Sequence, residues 1–477
     1  MKTLDTTIIR KLLLGAAVSL TFAAGAALAK EVELPKQLPP YAKDKALPVS
    51  DIARQTLDNG MQIWVVPRDG IPRVDFVLAI RDAGNAVDDP EHPGFADMLA
   101  GLLTEGTARR DSRAIAEAAQ GMGGGIGAGA SMDGINLNAY ALPSHAGDML
   151  ALLAEVARSP SFPENEVQLA QANALQGLKA AEAQPGFRAE RALGKALYGD
   201  HPYARTQQTE ASIAAVNVAM LKHEHARRLR PEHALLVITG RIDKDRGFAL
   251  AKQAFADWKA SGEAPPKVLP ARREAKPSFV LLKRDGSVQS ALRVGQPAVP
   301  ATDPDYIPLS MTRTILGGGF SSRLMQNLRE DKGYTYGAYD SQRRYAGGGA
   351  LVAGSDVRNE VTGAALKEIM GEFTRIGSEP VGKVELERNK RYVAGGYLIS
   401  NQQQGAVART LASNWLVGLP PEFLAEYVPM IQKVTAEQIM AMGTKYFDPA
   451  KQSIIVVGSP EDVSEQLVPF GEFGVEE

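Results

Sequence analysis

Short runs of contiguous apolar residues, each bounded by turn formers, mark buried strands along this chain. Residues 62–66 (QIWVV) and 74–80 form one such pair, and residues 278–283 and 291–295 form another. Runs of this length are read as strands. Between them the pattern changes. Residues 163–197, 364–376 and 383–400 are poor in strand formers and rich in Ala, Leu, Gln, Lys and Glu, which favour helix. Residues 111–120 and 221–229 read the same way.

The strand and helix signals recur in the same order twice. Each series opens with strands and passes through an Asp-Pro-acid turn, Asp89-Pro90-Glu91 and then Asp303-Pro304-Asp305. Each closes on a proline, then an apolar run ending in glycine: Pro231 to Gly240 and Pro449 to Gly458. The Asp-Pro turns are 214 residues apart and the closing prolines 218. That period is too long for a solenoid. It predicts a duplicated α+β domain of roughly 210 residues, each copy a sheet covered on one face by helices. The expected divisions are a first domain at 52–258, a linker at 259–278 and a second domain at 279–470. The linker holds four prolines and few large apolar groups, which suits an extended spacer.

The N-terminus carries a different signal. Lys2, Arg10 and Lys11 precede an apolar stretch at 12–28, and Ala27-Leu28-Ala29 is a cleavage signal followed by Lys30 and Glu31. This is the pattern of a secretory signal peptide at 1–29, cut after Ala29, with an irregular lead-in at 30–51. A periplasmic or secreted destination is expected, with no membrane attachment after cleavage. Composition narrows the chemistry. The formal net charge of −2 offers no excess of cations for nucleic acid. The absence of cysteine excludes disulfides, thiolate metal sites and a Cys nucleophile.

Familiar catalytic patterns are missing. There is no Gly-x-Ser-x-Gly, no Walker A loop and no His-Glu-x-x-His. His223-Glu224-His225 is the one histidine cluster, and in a helix its two imidazoles point to opposite sides. The glycine-rich run at 121–129 lacks a preceding strand, so it reads as a strand entry near a passing backbone rather than a phosphate loop. Residues 317–341 are more informative. Phe320, Leu324 and Leu328 repeat every four residues, Ser321 or Ser322 can cap a helix, and Gly333 can stop it. Tyr334, Tyr336 and Ala338 then alternate as a strand. Arg329 would sit in the last helical turn and Tyr336 on the adjoining strand. A guanidinium and a phenol sharing one space suit a peptide carbonyl or the oxyanion it becomes. A structural Arg and a half-buried Tyr fit the spacing too.

This segment resembles the second-domain signature of the pitrilysin family of zinc peptidases, the inverzincins: Ser-Arg-Leu, Leu-Arg-Glu, then Gly and Tyr. Thr56 to Met61 is similar to the family's opening strand, Ala128 to Tyr140 to its substrate-edge region, and Arg230 to Asp243 to the close of its first domain. The resemblance implies a clam-like half-chamber built from two homologous domains, with Arg329 and Tyr336 as the catalytic pair. It also implies substrate contacts at Gly127, Ala128 and Gly317 to Gly319. The family's His-x-x-Glu-His motif falls on Asp97, Ala100 and Gly101, inside a preserved Gly94-Phe95-Ala96 entry and Glu105-Gly106-Thr107 exit. A third ligand would fall near 176–178, where Gln, Gly and Leu stand, with Glu182 the nearest acid. A zinc site needs three protein ligands. This chain is therefore expected to hold no metal of its own and to be inactive alone. It would serve as the Arg/Tyr-bearing, transition-state-stabilising subunit of a heteromeric zinc peptidase. A homologous partner carrying His-x-x-Glu-His would supply the zinc, and the substrates would be peptides. The alternatives are a non-catalytic structural or peptide-binding protein of the same fold, or an enzyme with an unrelated site.

Overall fold

The computed structural model describes residues 51–476. The expected signal peptide and nearly all of the expected lead-in lie outside the described residues. The first half runs β1 (Ala53–Thr56), β2 (Gln62–Pro67), β3 (Val74–Arg81), α1 (Phe95–Leu102), α2 (Ser112–Gly121), β4 (Gly125–Ala130), β5 (Gly134–Ala141) and α3 (Ala146–Arg158). It continues with α4 (Glu164–Glu182), α5 (Pro185–Tyr198), α6 (Glu210–Ala215), α7 (Val218–Arg228), β6 (Ala234–Gly240) and α8 (Lys244–Phe255). The second half runs β7 (Phe279–Lys283), β8 (Gln289–Ala298), α9 (Tyr306–Gly317), α10 (Arg323–Met325), a π-helical turn at Gln326–Asp331, β9 (Ala338–Tyr345) and β10 (Gly348–Arg358). It ends with α11 (Thr362–Ser378), α12 (Lys383–Ser400), α13 (Gln404–Leu416), α14 (Phe423–Lys433), α15 (Ala436–Tyr446), β11 (Ser453–Gly458), α16 (Pro460–Leu467) and β12 (Gly474–Glu476).

Each half builds one six-stranded, mostly antiparallel sheet. The orders are β1-β2-β6-β3-β5-β4 and β12-β7-β11-β8-β10-β9. Five positions correspond strand for strand, as the repeat predicts. The outermost strand differs: β1 pairs antiparallel to β2, whereas β12 pairs parallel to β7. The two Asp-Pro turns are also alike. In each, the first aspartate accepts from the backbone N–H two residues on, Glu91 at 2.8 Å and Asp305 at 3.0 Å.

The sheets are covered on both faces, not one. Helices of the same half cover one face and build the two large cores, which hold Phe76, Leu78 and Leu153 in the first half and Leu292, Ile369 and Phe373 in the second. The other face is covered by a helix from the opposite half. Leu193 and Leu197 of α5 pack on Ile455 and Val457 of the second sheet. In return, Leu411 and Trp415 of α13 pack on Trp64, Val77 and Leu235 of the first. This exchange explains the uninterrupted apolar strand runs, because both faces of β3 and β6 must exclude water.

Two further sequence expectations are corrected. The helical stretch at 163–197 is two helices, because Pro185 lacks an N–H and starts α5 at its first turn. The expected strand at 334–338 begins only at Ala338. Among the described residues no helix is long and apolar enough to cross a membrane.

Candidate functional site

Helix α1 carries Asp97, Ala100 and Gly101, the positions on which the resemblance led us to expect the metal motif to fall. Its N-terminus is held by Asp88, whose carboxylate accepts from Ala96 N–H at 3.2 Å and from the buried Arg228 guanidinium at 2.7 Å. Burial pushes the Asp88 carboxyl up to about 6, and Arg228 opposes that shift. Asp97 projects into an open cleft of about 430 Å³. Surrounding protein displaces water from it and raises its pKa, and the Asn85 amide, donating to it at 3.0 Å, partly offsets this. Ala100 is fully buried in the core, while at Gly101 a Cβ would meet no atom within 4 Å.

The opposite wall comes from α4 through Glu166, Ala170, Asn173 and Ala174. The expected third-ligand position at 176–178 is absent from this wall, and Glu182 is engaged by Arg191 at 3.0 Å. Among the described residues, no three His, Cys, Asp or Glu side chains converge as metal ligands. A buried alanine and a glycine cannot coordinate, so the residues at this site do not fit zinc. The histidine cluster is equally unsuited. His223 is exposed, while half-buried His225 bonds the Ala157 carbonyl at 2.8 Å and has its pKa lowered by desolvation.

Helix α1 packs beside β4, the edge strand that contains Gly127 and Ala128. Its outer edge has no partner strand among the described residues, so its main-chain groups are available for pairing. Gly127 and Gly129 stand opposite Asn138 and Asn136 of β5. A Cβ at either glycine would meet nothing within 4 Å, and the buried Oδ1 atoms of both asparagines lack partners. The strand thus presents a bare floor flanked by amides.

The second candidate region begins where α10 opens into the π-helical turn. Leu324 and Leu328 are buried as expected, but Phe320 precedes the helix and is 67% exposed. Ser322 occupies the cap position without a capping hydrogen bond, so the expected side-chain cap is absent. Arg329 lies in the π turn, its guanidinium 4.5 Å above the Phe320 ring and 3.4 Å from Glu330. Gly333, at φ +63°, ends the helix. Its N–H donates to the Arg329 carbonyl at 3.1 Å, and Tyr334 N–H donates to the Leu328 carbonyl at 2.8 Å, so the chain closes back on the wide π turn. The link to β9 is pinned by Thr335, whose hydroxyl donates to the Asp356 carbonyl at 2.7 Å and accepts from Gly337 N–H at 3.1 Å. Tyr336 is left 91% exposed. Arg329 and Tyr336 therefore flank one closed turn, just before the edge strand β9.

Gly317 to Gly319 are accounted for by packing. A Cβ on Gly317 would lie 2.2 Å from the Asp340 backbone N, and one on Gly318 2.5 Å from Thr314 Cα. Gly317 lets α9 close against β9, and Gly318 folds back on the last turn of α9 itself. Asp340 is fully buried there, its two carboxyl oxygens unpartnered and its pKa pushed up to about 8 by burial, with Arg313 opposing.

Comparisons with known proteins agree with this architecture. Residues 72–209 match the family described as insulinase (peptidase family M16), and residues 215–393 match the peptidase M16 inactive domain. An uncharacterized zinc protease of Mycobacterium leprae is 26% identical over 412 residues, which is 84% of this chain and 90% of that protein. The Helicobacter pylori protein described as the non-peptidase homolog YmxG is 23% identical, over 82% of this chain and 91% of its own length. Among solved structures, the peptidase M16 inactive domain from Pseudomonas fluorescens superposes with a TM-score of 0.79 at 28% identity, covering 86% of this chain and 98% of that one. A Helicobacter pylori protease shares the fold, with a TM-score of 0.81 at 18% identity over 86% of this chain and 99% of its own.

Proposed function

Because this chain belongs to the M16 family of pitrilysin-like peptidases, and its own zinc positions hold no ligand set, we propose that it is the substrate-binding subunit of a heteromeric zinc peptidase. One observation carries the reading. The metal helix has lost its coordinating groups, yet Arg329 and Tyr336 are kept in accessible positions by a dedicated turn. Tyr336 is 91% exposed, so its hydroxyl is free to reach another molecule. An extended peptide would add to the open edge of β4 at Gly127 and Ala128 through main-chain hydrogen bonds. Arg329 and Tyr336 would donate to the scissile carbonyl, and the Tyr336 hydroxyl to the oxyanion that develops from it. The metal and the base that serves its water belong to a homologous His-x-x-Glu-His-bearing chain.

The test is reconstitution. Purified chain and partner are mixed, and cleavage of an unstructured peptide is followed. Tyr336→Phe and Arg329→Ala should each slow turnover by about 10²–10³ when a transition-state donor is lost. Rates equal to the unaltered mixture would exclude the catalytic pair. They would favour the second reading, a peptide-binding or structural protein, to which the non-peptidase relative lends weight. Export is part of the proposal. N-terminal sequencing of protein from a native periplasm should begin at Lys30.

A further inference from the structure

A second cleft, of about 520 Å³, lies between the α10–π segment and helices α11 and α12. Its walls carry as many basic as acidic side chains, four of each. Most of these groups satisfy one another. Arg323 clasps Glu385 through Nε at 3.0 Å and Nη2 at 2.9 Å. The Asn327 amide donates to Glu368 at 3.0 Å and to Glu372 Oε1 at 2.9 Å, and Arg375 donates to the same Glu372 oxygen at 3.0 Å. Four buried polar atoms remain without partners, and their residues all line this cleft: Ser322 Oγ, Arg323 Nη1, Asn327 Oδ1 and Glu372 Oε2. Ser322 and Glu372 are each only 2% exposed. Buried groups of this kind are costly to leave unpaired.

The leftover atoms define a ligand chemistry. They are one cationic donor, one anionic acceptor, one neutral acceptor and a hydroxyl able to do both. An inorganic anion would satisfy Arg323 but be repelled by Glu372. A metal ion would satisfy the oxygens but meet the guanidinium. A zwitterion satisfies both sides, its ammonium donating to Glu372 and Asn327 and its carboxylate accepting from Arg323 and Ser322. We propose that this cleft binds an α-amino acid or dipeptide as its zwitterion. The cleft volume falls in the range of small-ligand sites. The π turn supplies Gln326, Asn327 and Asp331 to this cleft while its Arg329 lies over Phe320, so occupancy bears on the same turn that places Arg329. Single π turns of this kind recur at functional sites. The assignment does not depend on the peptidase reading.

Calorimetric titration of the full chain with alanyl-alanine tests the site. N-acetyl-alanyl-alanine, alanyl-alanine amide, calcium chloride and inorganic phosphate serve as comparison probes. The expected result is saturable binding of the free dipeptide, weakened at least tenfold by blocking either end, since each block removes a charged hydrogen bond. Glu372→Gln should weaken it at least tenfold and Ser322→Ala severalfold, with circular dichroism and melting curves like the parent's. No saturable heat at about 10 mM dipeptide, equal binding of the blocked peptides, or calcium or phosphate binding in its place would overturn the assignment. The blocked peptides decide the matter on the unaltered protein even where Glu372→Gln fails to fold.

Discussion

A single buried carboxyl makes stability depend on pH. Asp340 has no hydrogen-bond partner for either oxygen, and burial pushes its pKa up to about 8. An unfolded chain ionises the same group near pH ~4. Below that pH both states are protonated, and Asp340 makes no difference. As pH rises from about 4 to about 8, the unfolded chain releases the proton while the folded chain keeps it, so stability falls until ionisation is complete in both. Asp340→Asn, which stays neutral, should lose this dependence. Its unfolding free energy, from urea titration, should gain on the parent's progressively over that interval, by up to about 5 kcal/mol. Parallel curves for the two proteins would show that Asp340 is ionised in the fold. Phe320 teaches a different lesson at the same scale. Its spacing from Leu324 and Leu328 reads as a buried helical stripe, yet the helix starts after it and the ring lies under Arg329. Periodicity reports which positions could share a face; it does not report where the first turn begins.

Among elements, β4 is the one the sequence hides best. Gly-Ile-Gly-Ala-Gly-Ala contains a single strong strand former, and only pairing with β5 makes it a strand. The apolar runs of β2, β3, β6 and β11 were legible because both faces are buried, and α12 because its opening stretch at 383–391 is almost all helix formers. The bareness of β4 separates two glycine substitutions. Gly127→Val places its side chain in open space, so stability should stay within about 0.5 kcal/mol of the parent while binding of an extended peptide weakens. Gly124→Ala drives a methyl to 1.7 Å from the Tyr140 carbonyl oxygen and should destabilise the hairpin by about 2 kcal/mol or more. Urea titration and fluorescence anisotropy with a labelled unstructured peptide distinguish them. Peptide binding unchanged in Gly127→Val would remove β4 from the binding surface.

At the level of the whole chain, the duplication was readable but the helix exchange was not, because nothing local in α5 or α13 says which sheet each will cover. The exchange is reinforced where the two β-hairpins meet. Asp133 accepts from the Tyr203 hydroxyl at 3.1 Å and from Ala346 N–H at 3.0 Å, and Tyr203 in turn accepts from Gly347 N–H at 2.9 Å. Residues 51–258 expressed alone should therefore bind a hydrophobic dye and aggregate. They leave Leu193 and Leu197 without their sheet, and Trp64, Val77 and Leu235 without their helix. Co-expression with 259–477 should restore a soluble complex with one cooperative unfolding transition. A monomeric, sharply melting first half would show that the exchanged helix is dispensable.

The exchange also constrains how a bulky guest could be admitted. Swinging the two sheets apart at the 259–278 connection would uncover an apolar face on each, as α5 and α13 left their places together. Exposing both apolar faces at once opposes such a hinge. If this protein closes around a guest together with a second polypeptide, as proposed, the opening would lie at the seam between the two and not within this chain.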